Sequence, residues 1–213
     1  VQPVEGILPI VAEAGGHGFT HCMVPYENRK EASLIENIQI IPVKSITEMI
    51  DILTGRVSAD AVSLSYHRMH EGIKEQTGCK TQEKELDFSQ IHGQRLVRRA
   101  SEVATAGMHN LLMIGPPGAG KTMIAQRIPT ILPPMCRNEQ LELARIYSVS
   151  GMLMHDYDSM HRRPFRSPHH TITPQGLVGG GMVPKPGEVS LAHKGVLFLD
   201  ELAEFQKSTL ELL

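Results

Sequence analysis

The stretch Gly115-Pro116-Pro117-Gly118-Ala119-Gly120-Lys121-Thr122 decides how the rest of this chain is read. It satisfies G-x-x-x-x-G-K-[ST] at every fixed position. Backbone N–H groups can approach phosphate oxygens closely only where side chains are absent, and Gly115, Gly118 and Gly120 remove them. Apolar Leu111–Ile114 reads as a short buried strand entering the loop. A helix is expected to open at Lys121, where the N-terminal N–H groups and the helix dipole favour an anion. Lys121 has the reach to meet β- and γ-phosphates, and the Thr122 hydroxyl can ligate Mg²⁺. Residues Gly115 to Thr122, with Pro116, Pro117 and Ala119 completing the turn, are therefore the expected ATP-binding loop.

A second segment, Val196-Leu-Phe-Leu-Asp200-Glu201, ends an apolar run in two carboxylates. Apolar strands often end in acids, so this motif is weak alone; downstream of the Gly-rich loop it becomes specific for a P-loop NTPase. Asp200 is expected to hold Mg²⁺ through its water shell, and Glu201 to orient or deprotonate the attacking water. Lys121 and Glu201 are thus the catalytic candidates, and Thr122 and Asp200 the metal candidates.

Composition sets bounds around these motifs. The chain has 213 residues, 41% of them hydrophobic, 21% charged, and a net charge of -2. That balance announces neither a nucleic-acid binder nor a disordered acidic chain. Cys22, Cys79 and Cys136 are odd in number and widely spaced, which fits neither a disulfide framework nor a thiolate metal site. A reducing cytoplasm is the simplest setting. No apolar run approaches a membrane span. The chain starts at Val1 and stops inside an apparent helix, so it is expected to be a piece of a longer protein.

Three regions follow. Residues 1–55 mix apolar runs with turns: strands are expected at 17–25 and 38–43, and a helix at 45–53. Ser45 and Glu48 form a capping box, Ile46, Met49, Ile50 and Leu53 supply the helical apolar stripe, and Gly55 the stop. Residues 56–87, centred on EQTGCKTQEKE, read as a linker. Residues 88–213 alternate strands and helices: a helix over 89–108 interrupted near Gly93, a helix capped by Asn138 and ended at Gly151, and a buried strand over 196–199. This is an α/β pattern.

Between the two motifs the chain reads HRRPFRSPHHT (161–171) and LVGGGMVPKPGEVSLAHKG (177–195). Together with DFSQIHGQ (87–94), AGMHNLLMIGPPGAGKT (106–122), VLFLDE (196–201) and FQKSTLELL (205–213), it resembles the Mg-chelatase-like AAA+ ATPases of the YifB/ComM type. The resemblance covers residues 86–213. It implies a P-loop AAA+ core, a hexameric ring of identical subunits with Mg·ATP at their interfaces, and a 176–194 insert in the second helix forming a hairpin toward the pore. It also implies that the strand between the P-loop and Asp200 strands, the sensors and the arginine finger come later in the chain. The core is therefore incomplete, and the chain alone is expected to bind nucleotide weakly and hydrolyse almost none. Ile91-His92-Gly93-Gln94 matches either the family's adenine pocket or an ordinary helix start. Arg162, Arg163 and Arg166 are candidates for contacting phosphate or a neighbouring subunit. His169 and His170 lack the spacing of a shared metal face on a helix.

The N-terminal pieces VEGILPI (4–10), FTHCMVPYEN (19–28) and IIPVKSITEMIDIL (40–53) resemble the end of the Lon-protease-like, ribosomal S5-like α/β domain that precedes the ATPase in this family. The Lys expected after LPI is missing, since no Lys occurs between Leu8 and Arg29. A structural or regulatory domain is expected there. The resemblance implies a motor working on DNA by branch migration or helicase action. The alternatives are a magnesium chelatase subunit driving metal insertion into a porphyrin, and a nucleotide-binding regulator that does not hydrolyse; intact Asp200 and Glu201 argue against the last.

Overall fold

The computed structural model describes residues 1–59, 62, 86–154 and 162–213. Most of the expected linker, EQTGCKTQEKE included, lies outside them, as does His161. The chain folds as two units, Val1–Gln82 with Tyr147–Tyr157, and Glu83–Ile146 with Asp158–Leu213. Among the described residues, no helix is long and apolar enough to cross a membrane.

The first unit opens with α1 (Ile7–Gly16), a helix that the turn-rich sequence conceals. Pro9 sits in its first turn, where a missing N–H costs nothing. The helix buries Ile7, Leu8 and Val11. Gly6, at φ 77°, donates its N–H to the Ser148 carbonyl at 2.9 Å, and the Leu8 N–H reaches Ser148 Oγ at 3.2 Å. The helix end shortens the expected first strand: His17 and Phe19 return their N–H groups to Glu13 and Ala14. The strand β1 therefore spans only His21–Pro25.

It pairs in parallel with β2 (Gln39–Val43), in the register His21↔Gln39 to Pro25↔Val43. Parallel pairing needs a crossover, and the short helix α2 (Arg29–Ala32) lies within it. Helix α3 (Ile46–Leu53) is capped as expected, with Ser45 Oγ accepting the Glu48 N–H; the Glu48 carboxylate accepts from Lys44 rather than Ser45. Its buried residue is Ile52, packed with Ile41 and Val43 of β2, with Met49 alongside. The expected stripe is otherwise wrong: Ile46, Ile50 and Leu53 are exposed. A two-turn helix lying on one strand covers only the residues that face that strand.

In the second unit, the interrupted helix resolves into a 3₁₀ turn, Phe88–Gln90, and α4 (Arg95–Ala106). Gly93 and Gln94, both at positive φ, make the break. Phe88, Ile91 and Ile124 form a core with Val97, Met113 and Ile131 against it. After the Gly-rich loop come α5 (Lys121–Ala125) and α6 (Arg137–Val149). Asn138 lies inside the first turn of α6, not at its cap, and Glu139 accepts the Cys136 N–H at 3.1 Å instead.

Two expected strands are corrected. Leu111–Ile114 forms no strand ladder, and Leu112 and Ile114 are 70% and 90% exposed. Val196–Leu199 is reduced to β6 (Val196–Leu197), half-buried and parallel to β3 (Phe165–Arg166). A strand exists through its hydrogen-bonded neighbours; among the described residues none pairs with 111–114, so alternate side chains face outward.

Helices α7 (Pro174–Val178) and α8 (Glu188–Leu191) flank a hairpin in which β4 (Gly179–Gly180) runs antiparallel to β5 (Lys185–Pro186). Gly179 sits at φ 106°, and a Cβ there would meet the Lys185 carbonyl oxygen at 2.7 Å, so only glycine closes this turn. Met182 and Val183 at the tip are 102% and 74% exposed. A last helix, α9, spans Lys207–Leu210.

Candidate nucleotide site

The Gly-rich loop owes its shape to two residues. Gly118 and Gly120 stand at φ 76° and 84°, the left-handed region that other residues enter at a cost. Nothing lies within 4 Å of a Cβ at Gly118, so the requirement there is conformational and leaves the space over the loop open. Gly120 hands over directly to α5. This helix has five residues, so the amides of the loop matter more for an anion than the summed helix dipole.

The Lys121 ammonium curls back and donates to the Gly115 and Pro116 carbonyls at 2.9 and 3.0 Å. Next to it, Thr122 Oγ1 donates to Asp200 Oδ2 at 2.9 Å. The other carboxylate oxygen, Asp200 Oδ1, accepts the Glu201 N–H at 3.0 Å. A hydroxyl and a carboxylate this close offer the hard oxygen ligands that Mg²⁺ prefers. Glu201 adopts φ 53° and ψ 50°, unusual for a residue with a Cβ and frequent at functional sites. Its side chain is 68% exposed, and His170 Nδ1 lies 3.7 Å from its Oε2.

These groups line one cleft of about 1080 Å³. Every residue expected in the phosphate loop lines it except Pro116, which contributes through its carbonyl to Lys121. Asp200 and Glu201 line the facing wall. The volume suits a nucleotide-sized ligand, and the residues present fit both a phosphate chain and a divalent cation.

The arginine-rich run behaves differently from its expectation. Arg163, with a side chain 6% exposed, donates to the Pro133 and Lys194 carbonyls and to Glu139 Oε2. Arg166 makes a two-pronged bond to Glu188 at 2.6 and 2.7 Å. Both are engaged inside the unit, where Arg163 ties α6 to the segment before β6 and Arg166 ties β3 to α8. His193 and Lys194 likewise converge on Glu142 at 3.1 and 3.3 Å. The Glu142 carboxyl is held below its ordinary range by hydrogen bonds from His193 and Lys194. That of Glu139 is lowered first by the Cys136 N–H, and also by the Arg163 and Lys194 charges.

His170 also lines the cleft, a place that the sequence reading did not give it. Its signal was the parallel register: Phe165 pairs with Val196 and Arg166 with Leu197. His170 and Glu201 lie equally far past the last of these pairs, and their side chains approach to 3.7 Å.

A family model described as magnesium chelatase, subunit ChlI, matches residues 87–213. Competence protein ComM of Haemophilus influenzae is 37% identical over 215 residues, covering 100% of this chain and 40% of its own length. The uncharacterised protein YifB of Salmonella typhimurium is 50% identical over 217 residues, covering 100% of this chain and 39% of its own. YifB of Escherichia coli is 51% identical over 127 residues, 60% of this chain and 25% of its own. The chain thus spans about 40% of the length of the curated relatives it matches end to end.

Proposed function

The chain belongs to the Mg-chelatase-like family that includes ComM and YifB, and from that premise we propose that it carries the nucleotide site of a Mg²⁺-dependent AAA+ ATPase. The observation that carries this reading is the 2.9 Å bond between Thr122 and Asp200. It brings the hydroxyl of one motif and the carboxylate of the other to a single point beside the phosphate loop.

In this reading the loop amides and the Lys121 ammonium bind the phosphates of ATP, Lys121 leaving the Gly115 and Pro116 carbonyls to do so. Thr122 and Asp200 would hold Mg²⁺, which would supply neutralisation of the phosphate charge. Glu201 orients a water on the γ-phosphorus and accepts its proton. The new bond is water oxygen to γ-phosphorus; the bond to the β,γ-bridging oxygen breaks, and ADP and phosphate leave. The test is steady-state turnover of the full-length protein with and without Mg²⁺. Turnover that requires Mg²⁺ supports the reading; none under any nucleotide or salt condition rejects it.

The work done with that energy is a finer proposal. A ring of identical subunits acting on DNA is supported by the ComM/YifB likeness and by the projecting 179–186 hairpin. After the hairpin, His193 and Lys194 are paired with Glu142. The Met182–Val183 tip is what the hairpin itself presents to solvent.

A further inference from the structure

We infer that His170 positions the Glu201 carboxylate for attack on the nucleotide, acting through Glu201 rather than on the phosphates. The inference rests on the ATPase reading above. Three observations support it.

The first is placement. β3 is anchored to β6 by the Val196 N–H to the Pro164 carbonyl and the Phe198 N–H to the Arg166 carbonyl, both at 2.8 Å. The last pair of this ladder is Arg166↔Leu197. His170 lies as far beyond Arg166 as Glu201 lies beyond Leu197.

The second is that the His170 ring is held. It lies against the His169 ring, tilted by 35° with 4.0 Å between centroids, and meets the Phe205 ring edge-on at 6.4 Å. Its side chain is half-buried, whereas that of Glu201 is largely exposed. The imidazole is therefore the enclosed partner and the glutamate the exposed one.

The third is the state of Glu201. Asp200 receives the Glu201 N–H on one oxygen and Thr122 on the other, which fixes the backbone and the metal-side carboxylate but not the Glu201 side chain. Among the described residues, the side chain that reaches the Glu201 carboxylate is His170, at 3.7 Å. This exceeds a hydrogen bond; catalytic contacts of such length tighten in the reacting complex. An exposed glutamate side chain has several accessible rotamers, and the reaction needs the one that places its oxygen on the attacking water. Restricting them acts on turnover and leaves binding alone.

The experiment uses the full-length protein and compares His170→Ala, His170→Phe and His170→Asn. Phe keeps the ring against His169 and Phe205 but removes the nitrogen; Asn keeps a polar atom near the Nδ1 position. Turnover, KM and affinity for a fluorescent ATP analogue are measured on each. The expected result is a kcat lowered about tenfold or more in the Ala and Phe variants, with KM and affinity within about twofold of wild type, and partial recovery in Asn. In a Glu201→Gln background, His170→Phe should lower residual turnover no further. A Phe variant with wild-type kcat overturns the inference. So does a joint loss of affinity and kcat in all three, which marks a structural role. A wild-type protein without turnover overturns the ATPase reading itself, and is told apart because no variant is needed to see it.

Discussion

The Thr122 hydroxyl and the Asp200 carboxylate, 78 residues apart in the chain, meet at 2.9 Å. Both are oxygen ligands of a kind suited to Mg²⁺, and together they give a first prediction. Thr122→Ala and Asp200→Asn should each raise the Mg²⁺ concentration needed for half-maximal turnover about tenfold, the low end of what loss of a metal contact costs. Because the two groups touch, the double variant should cost less than the sum of the singles. Mg²⁺ titrations of turnover in the full-length variants check this; strictly additive effects would separate the two residues' roles.

Lys121 and Glu201 should divide binding from chemistry. Lys121→Ala removes a cationic phosphate contact and should weaken ATP affinity. Glu201→Gln keeps the shape of the side chain but not its basicity, and should leave affinity near wild type while lowering kcat by about 10² or more. Equilibrium binding and turnover on both variants decide it. Equal losses of affinity would contradict the assignment.

Arg163 should matter for stability. Its buried guanidinium satisfies the Pro133 and Lys194 carbonyls as well as Glu139. Arg163→Ala should destabilise the second unit by about 3 kcal/mol, the scale of breaking a buried charged network. Arg163→Lys should recover only part, since a point charge cannot reproduce the fork. Denaturant unfolding measures both.

Acid should act through Glu139 and Glu142. Both carboxyls are depressed in the folded state from their ordinary value of 4.5, Glu139 chiefly by the Cys136 N–H and Glu142 chiefly by His193. A depressed folded pKa contributes stability that is present above the unfolded pKa and is lost as pH falls through the lower folded one. Wild type should therefore lose thermal stability as pH drops below about 4.5, and Glu139→Gln should start less stable and flatten that loss. Melting temperature against pH shows the difference.

The hairpin prediction concerns a partner. If the motor tracks nucleic acid, removing the charges of Lys185 and Lys194 together should lower DNA affinity for all sequences alike and flatten its salt dependence. Titrations of single-stranded and forked DNA at several salt concentrations, with the full-length protein and a non-hydrolysable nucleotide, check this. Absence of DNA binding at low salt would reject nucleic acid as the substrate.

What the sequence by itself determined was local. Gly118 and Gly120 adopt positive φ because no other residue does so cheaply, Lys121 and Thr122 follow the loop, and Ser45 caps α3 through a hydroxyl three residues from its donor. Such features depend on dihedral preferences and short hydrogen bonds within a few residues, so their spelling is their geometry. The tertiary structure decided the rest. α1 forms despite Pro9, Gly15 and Gly16 because burial of Ile7, Leu8 and Val11 outweighs weak helix propensity. Leu111–Ile114 looked like a buried strand because its residues are apolar, yet a strand needs a neighbour, and composition does not supply one. Arg163 and Arg166 were candidates for contacting phosphate or a neighbouring subunit, and the fold gave each an internal carboxylate from a distant segment. His170 became part of the cleft only through the register of β3 on β6. Those pairings join residues far apart in the chain, and which of them meet depends on the path of the backbone between them.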